Sequence, residues 1–77
     1  MRLLIDTNVI LDMVFKQNGC DIAMELFRRV KNSKTSAYIT GKNNKMDYIV
    51  TSNKKDYADT LVPVLTPIEW IKIINNI

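Results

Sequence analysis

The chain has 77 residues, of which 47% are apolar and 25% charged, and its net charge is +3; this composition predicts one ordinary globular domain over 1–77. One cysteine, Cys20, and no histidine exclude an internal disulfide and a zinc site of nitrogen and sulfur ligands, so any bound metal is expected to be a hard cation held by oxygen. No long apolar stretch follows a basic leader, which predicts a cytoplasmic protein with no membrane span.

The first half of the chain predicts one strand followed by two helices. Three apolar residues before Asp6 predict a buried strand over 2–6. From Asn8 the apolar spacing is helical, and the segment 16–19 breaks that helix. A second amphipathic helix is expected to begin at Asp21 and to end at 32–33.

The second half predicts three strands and a final helix. The strands are expected at 37–39, 48–51 and 62–65, the last at a sheet edge because it contains a proline. A polar loop is expected at 41–45, and one irregular turn within 52–59.

The final helix has the clearest local signal. Thr66 is expected to cap it, with Pro67 at the first helical position and Glu69 completing a capping box. Its inward stripe is predicted from three isoleucines, with two residues off the stripe. The stripe residues are Ile71, Ile74 and Ile77, and the residues off it are Trp70 and Ile73.

The order β-α-α-β-β-β-α predicts an α/β fold, with a small parallel sheet of about four strands flanked by helices. If the first strand lies between the second and the third, the strand order reverses beside Asp6, and ligands bind at such points. The third strand then delivers 51–56 to the same edge. Asp6, Asn53 and Asp56 are therefore candidate ligands for Mg²⁺ or Mn²⁺.

Further residues are expected around this candidate site. Thr7, Asn8, Thr51 and Ser52 are expected to line a pocket. A second set, Lys54, Lys55, Lys42 and Lys45, is a candidate surface for a phosphate backbone.

Charge supports a polyanionic partner such as RNA. Residues 28–55 carry a net charge of +7, because eight lysines and arginines stand against Asp47 alone, whereas 1–27 and 56–77 each carry −2. A solvated helix face and loop would give the same pattern.

Each candidate residue also has a structural interpretation. Asp6 would cap the helix that follows it, and Asn53 and Asp56 are common turn residues. Lys54 and Lys55 would belong to a solvated turn. Four other residues receive structural roles at this stage: Asp12 is expected to face solvent, Asp47 to lie at the opposite edge of the sheet, Trp70 to serve packing or an interface, and Cys20 to be an incidental small residue.

Two motifs in this order resemble the PIN domain, the nuclease fold of many bacterial toxins. They are IDTNVILD and DYIVTSNKKDY, the second followed by PVLTPIEWI, and the resemblance covers 1–40 and 47–71. It implies a metal-dependent ribonuclease, with an antitoxin-type protein as a further partner. In it Asp6 matches the first acidic ligand, Asn53 a further acidic or amide residue, Asp56 the acidic residue beyond, and Asn8 a polar residue that shapes the pocket.

The sequence departs from the family in its middle. Most PIN domains insert several helices between the second strand and the DYIVT strand, and those helices supply two further acidic ligands. Here only 41–47 connect the two strands. Asp47 precedes its strand and does not replace the missing ligands.

The short connection also constrains the fold. A parallel crossover normally needs a dozen or more residues. Seven residues reach at most about 25 Å, against about 19 Å required. The loop can connect the strands but cannot cover the sheet, which predicts an exposed apolar face and a homodimer or other oligomer.

Three functions follow from these observations. The first is a weak Mg²⁺- or Mn²⁺-dependent ribonuclease of reduced PIN-like fold. The second is a catalytically inactive PIN remnant that binds RNA through its basic middle. The third is a protein-interaction module, and the sequence leaves the choice between them open.

Overall fold

The computed structural model describes residues 1–39 and 45–76, which form an α/β fold with three helices and a four-stranded sheet. The strands are β1 (Arg2–Ile5), β2 (Ser36–Tyr38), β3 (Tyr48–Val50) and β4 (Val64–Leu65). The helices are α1 (Thr7–Val14), α2 (Cys20–Lys31) and α3 (Pro67–Asn75), and a short 3-10 turn spans Lys54–Tyr57.

The sheet has the order β2-β1-β3-β4, and every neighbouring pair is parallel. The predicted α/β class and the position of β1 between β2 and β3 are confirmed. Leu3 lies beside Ala37 on one side and Tyr48 on the other, which fixes the register of both pairs. The strand order therefore reverses at β1, and the residue that follows β1 is Asp6.

The core lies between one face of the sheet and the helices. Leu3, Ile5 and Val50 alternate onto that face, and each is at most 1% exposed. All three helices contribute fully buried residues to the same cluster, namely Val9, Ala23, Leu26 and Trp70. The second face carries Ile49, which is 5% exposed, beside the half-buried Leu4 and Val64.

The sheet face that the short crossover was expected to leave open is therefore covered at Ile49. The predicted polar loop at 41–45 and Lys42 lie outside the described residues, except for Lys45. The large exposed apolar side chains that the structure does describe include Leu11 and Val14 of α1 and the C-cap residue Phe15, at 43%, 61% and 64% exposure.

The prediction for the inward face of α3 is wrong at Trp70. The side chain of Trp70 is fully buried, and its indole Nε1 lies 3.4 Å from the Met1 Sδ. The buried stripe combines spacings of three and four residues, with Pro67 and Trp70 fully buried and Ile71 and Ile74 packed against the core. The prediction used only the spacing of three between isoleucines, and it therefore placed the inward face of α3 away from Trp70. The packing role predicted for Trp70 is confirmed.

The beginning of α3 follows the prediction. Thr66 Oγ1 accepts a hydrogen bond from the Glu69 N–H at 3.3 Å, and Glu69 Oε1 accepts one from the Thr66 N–H at 2.8 Å. This capping box fixes where β4 turns into α3 and brings the N-terminal turn of α3 to the carboxyl edge of the sheet.

Candidate functional site

Asp6 is placed by β1 and by the start of α1. Its backbone N–H donates to the Val50 carbonyl at 2.9 Å, which continues the β1–β3 pairing by one residue. Its side-chain Oδ1 accepts from the Asn8 N–H at 3.4 Å, so Asp6 caps α1. The cap interpretation is confirmed, and because the contact is long and uses one oxygen, the carboxylate retains capacity for other partners.

Thr51 holds the other oxygen of Asp6. It is fully buried directly after β3, and its Oγ1 donates to Asp6 Oδ2 at 2.8 Å. Thr51 Oγ1 also accepts a hydrogen bond from the Asn53 N–H at 3.1 Å. Thr51 therefore fixes the Asp6 carboxylate and links it to the segment after β3.

The remaining predicted pocket residues lie on two sides of Asp6. Thr7 Oγ1 and Asn8 Nδ2 each donate to the Asp6 carboxylate at 3.4 Å, and both residues are exposed. Ser52 points elsewhere, because its Oγ donates to Asp12 Oδ2 at 3.1 Å. Asp12 is half-buried rather than fully exposed as predicted, because Ser52 of the segment after β3 contacts its carboxylate.

Asn53 and Asp56 contact each other rather than Asp6. Asn53 Nδ2 donates to Asp56 Oδ2 at 3.3 Å, and the Asp56 N–H donates to the Asn53 carbonyl at 3.2 Å. Both side chains are exposed, and these contacts are those of an ordinary turn. Their connection to Asp6 passes through the Thr51 hydroxyl.

Tyr57 is the residue at this edge that the sequence reasoning missed. Burial raises the pKa of its phenol, and the negative charges of Asp6 and Asp56 raise it further. Tyr57 is half-buried and ends the short 3-10 turn that also carries Asp56. The available signal was a single aromatic side chain in the mostly polar segment 52–59.

The candidate metal ligands amount to two carboxylates and one amide. Within residues 1–39 and 45–76, no group of three or more acidic, histidine or cysteine side chains could hold a metal ion. Asp6, Asp56 and the Asn53 amide oxygen are hard oxygen donors, and Mg²⁺ accepts one or two protein carboxylates while keeping several waters. Asp6 and the Asn53–Asp56 pair are joined through Thr51 rather than gathered into one cluster among the described residues.

Of the lysines predicted to hold phosphate, the three that the structure describes do not form one surface. Lys54 Nζ pairs with Glu69 Oε1 at 3.0 Å, and Lys55 beside it is exposed. The Thr66 N–H, followed by Lys54, lowers the pKa of Glu69, which keeps this partner ionised. Lys45 is exposed but precedes β3, so it lies at the opposite edge of the sheet.

That amino edge is predominantly basic. Asp47 lies there as predicted: its N–H donates to the Arg2 carbonyl at 2.8 Å, and its Oδ2 accepts from the Arg2 N–H at 2.7 Å. Four cationic side chains at or beside this edge are exposed, namely Arg2, Lys31, Lys34 and Lys45. They arrive from β1, from the end of α2 and its turn, and from the segment before β3.

Two arginines of α2 are compensated by their own helix. Arg28 and Arg29 both donate to the Glu25 carboxylate, at 2.6 Å and 3.0 Å. The hydrogen bonds from Arg28 and then Arg29 lower the pKa of Glu25 to about 2. These two charges therefore add less to the basic edge than the sequence alone indicated.

Comparisons with models of protein families, with curated proteins and with solved structures found no match for this chain. Among the described residues, no helix combines the length and the apolar character needed to cross a membrane.

Proposed function

We propose that this chain is a reduced PIN-like domain that binds one Mg²⁺ or Mn²⁺ at Asp6 and cleaves RNA slowly. The observation that carries the proposal is the buried Thr51 hydroxyl, which donates to Asp6 at the point where the strand order of the sheet reverses. A fully buried hydroxyl directed at a carboxylate keeps that carboxylate oriented.

In this proposal Asp6 holds the cation, and Asn53 or Asp56 contacts its remaining waters. A bound cation would supply an activated water and stabilise charge on the attacked phosphate. The raised pKa of Tyr57 keeps its phenol protonated at neutral pH, so it can donate a hydrogen bond to a phosphate oxygen. With only two carboxylates, the site holds metal weakly, and slow turnover follows.

Cleavage of a fluorescent single-stranded RNA tests this function. The expected result is Mn²⁺-dependent cleavage that disappears in Asp6→Asn and with a chelator but persists in Asp47→Asn. Asp47→Asn is a matched control, because Asp47 is also a carboxylate at an edge of the sheet that accepts a backbone hydrogen bond. It lies at the other end of the strands. Cleavage by Asp6→Asn at the wild-type rate would refute the proposal.

A second candidate is RNA binding without cleavage, and the basic amino edge favours it. Four cationic side chains are exposed there, namely Arg2, Lys31, Lys34 and Lys45. Asp47 is the carboxylate at the same edge, and it already accepts a hydrogen bond from the Arg2 N–H. Affinity for single-stranded RNA that falls steeply with salt and is unchanged in Asp6→Asn would support this candidate. Affinity that does not depend on salt would refute it.

A third candidate is association between copies of the chain, and the outer stripe of α1 favours it. Leu11, Val14 and Phe15 follow helical spacing and are each more than two-fifths exposed. Light scattering after gel filtration tests this candidate, with Phe15→Lys as the disrupting variant and Lys16→Gln as the neighbouring control. A wild-type monomer at high protein concentration would refute it.

A further inference from the structure

A cleft of about 330 Å³ lies next to the Asp6 site, between α1, α2, the segment after β3 and the first turn of α3. Its walls are mainly apolar, with Val9, Ile22, Ala23, Pro67 and Ile68 as the apolar residues, and Asn18, Ser52 and Thr66 add polar groups. The volume falls at the lower end of the range for small-molecule sites, and the position at the carboxyl edge of a parallel sheet is where such sites occur.

One charged group faces this cleft. Asp12 is the only ionisable side chain in the described lining, and neither lysine nor arginine lines the walls. Asp12 is half-buried, and Ser52 donates to one of its oxygens, Oδ2. The second oxygen has room for another donor, because a carboxylate accepts more than one hydrogen bond.

The turn between α1 and α2 passes beside Asp12. Gly19 has a φ of +94°, a conformation that side chains rarely adopt. A Cβ placed at Gly19 would stand 3.7 Å from Asp12 Oδ2, at ordinary van der Waals distance. Glycine therefore permits the turn that brings this wall of the cleft next to the carboxylate.

We infer that this cleft binds a small amphiphilic amine, with one aromatic or branched aliphatic group against the apolar walls and a primary ammonium at Asp12. The apolar walls disfavour strongly hydrated ions, and a lone carboxylate beside them favours a cation, whose attraction is stronger where water is partly excluded. This site is separate from the proposed metal site, because it uses Asp12 and Ser52 rather than Asp6 and Asn53.

Amide NMR titrations with three ligands of one shape test the inference: 2-phenylethylamine, 2-phenylethanol and 3-phenylpropionate. We expect saturable shifts at Val9, Ala23, Ser52 and Ile68 with the amine, at least about threefold weaker affinity for the alcohol, and no saturation with the acid. Equal affinity for amine and alcohol, or no saturation by the amine in the millimolar range, would overturn the inference.

Substitutions at two positions, Asp12 and Ile68, distinguish a site at Asp12 from general apolar binding. Asp12→Asn keeps an acceptor for Ser52 and is expected to lower amine affinity to that of the alcohol. Ile68→Lys places a cation at the exposed rim and is expected to abolish amine binding, whereas Ile68→Gln is expected to retain it. Amine binding that is unchanged in Asp12→Asn or in Ile68→Lys would contradict the inference.

The result is independent of the proposed nuclease. Asp6→Asn is expected to bind the amine as the wild type does, and the amine is expected to leave Mn²⁺ binding unchanged. Loss of amine binding in Asp6→Asn would show that the amine and the metal share one site, and it would overturn the assignment to Asp12.

Discussion

The two edges of the sheet differ in charge and in how their charges are held. At the carboxyl edge, Asp6 and Asp12 each accept a hydrogen bond from a hydroxyl of the segment after β3. At the amino edge, Lys31, Lys34 and Lys45 are exposed, and no ion pair is found for them among the described residues. The carboxyl edge is organised around carboxylates, and the amino edge presents solvated cations.

This difference shows how topology sorts charges that are mixed along the chain. The basic segment 28–55 contributes Lys54 and Lys55 to one edge and Lys45 to the other, because β3 lies between them. β3 has three residues and is about 10 Å long, which exceeds the Debye length of about 8 Å at physiological salt. The two edges should therefore act on separate partners.

The largest expected effect is on the stability of the whole fold, on which both edges of the sheet depend. Trp70→Ala empties the centre of the core and is expected to destabilise the fold by about 3–5 kcal/mol, comparable to the whole stability of a chain this size. Denaturant unfolding followed by circular dichroism measures it. Trp70→Phe keeps most of the apolar volume and should lose clearly less, and equal losses would show that the ring does not fill the core.

Thr51→Val should damage the carboxyl edge alone. The substitution removes the donor to Asp6 Oδ2 and the acceptor of the Asn53 N–H, and it is expected to cost about 1–3 kcal/mol of stability. Mn²⁺ affinity should fall, while RNA affinity at the amino edge should not change. Thr51→Ser keeps the hydroxyl and should bind metal nearly as the wild type does; a valine variant with unchanged metal affinity would contradict the role of Thr51.

Substitution of the basic residues distinguishes the two edges as RNA surfaces. The triple variant Lys31→Gln, Lys34→Gln, Lys45→Gln is expected to lower the slope of log affinity against log salt by about 2. A variant of equal net charge carries Lys16→Gln, Lys54→Gln and Lys55→Gln, and it should change the slope less. A larger change in the second variant would place RNA at the carboxyl edge instead.

The smallest expected effect is a change in the pH at which Tyr57 ionises. Burial and the charges of Asp6 and Asp56 raise the pKa of Tyr57 above 10.0, so this tyrosine stabilises the fold below pH 10, and the contribution is lost as the pH rises through the folded-state pKa. Ultraviolet titration should show Tyr57 ionising at lower pH in Asp6→Asn and at unchanged pH in Asp47→Asn. A shift in the second variant alone would contradict the placement of the phenol.

The sequence predicted the elements whose signals are local. The capping box at Thr66 and the apolar run before Asp6 depend on neighbouring residues, and both are confirmed. The position of the first strand between the second and the third was a condition of the site prediction, and the sheet has that order. These signals also placed Asp47 at the amino edge.

The contacts that were missed depend on how distant segments pack. Asp12 is half-buried because Ser52, forty positions later, donates to it, and nothing near Asp12 in the chain predicts that contact. Trp70 is buried because it packs in one cluster with residues of β1, β3, α1 and α2, and its indole also reaches the Met1 Sδ at the other end of the chain. The position of Tyr57 near Asp6 likewise depends on the turn after β3, whose path the polar segment 52–59 does not specify.

The most direct test of the division between the two edges is a Mn²⁺ titration followed by amide NMR, with Asp6→Asn and Asp47→Asn measured in parallel. The account predicts broadening centred on Asp6, Asn53 and Asp56 that disappears in Asp6→Asn and remains in Asp47→Asn. Broadening centred on Asp47, or localised broadening that survives in Asp6→Asn, would contradict it.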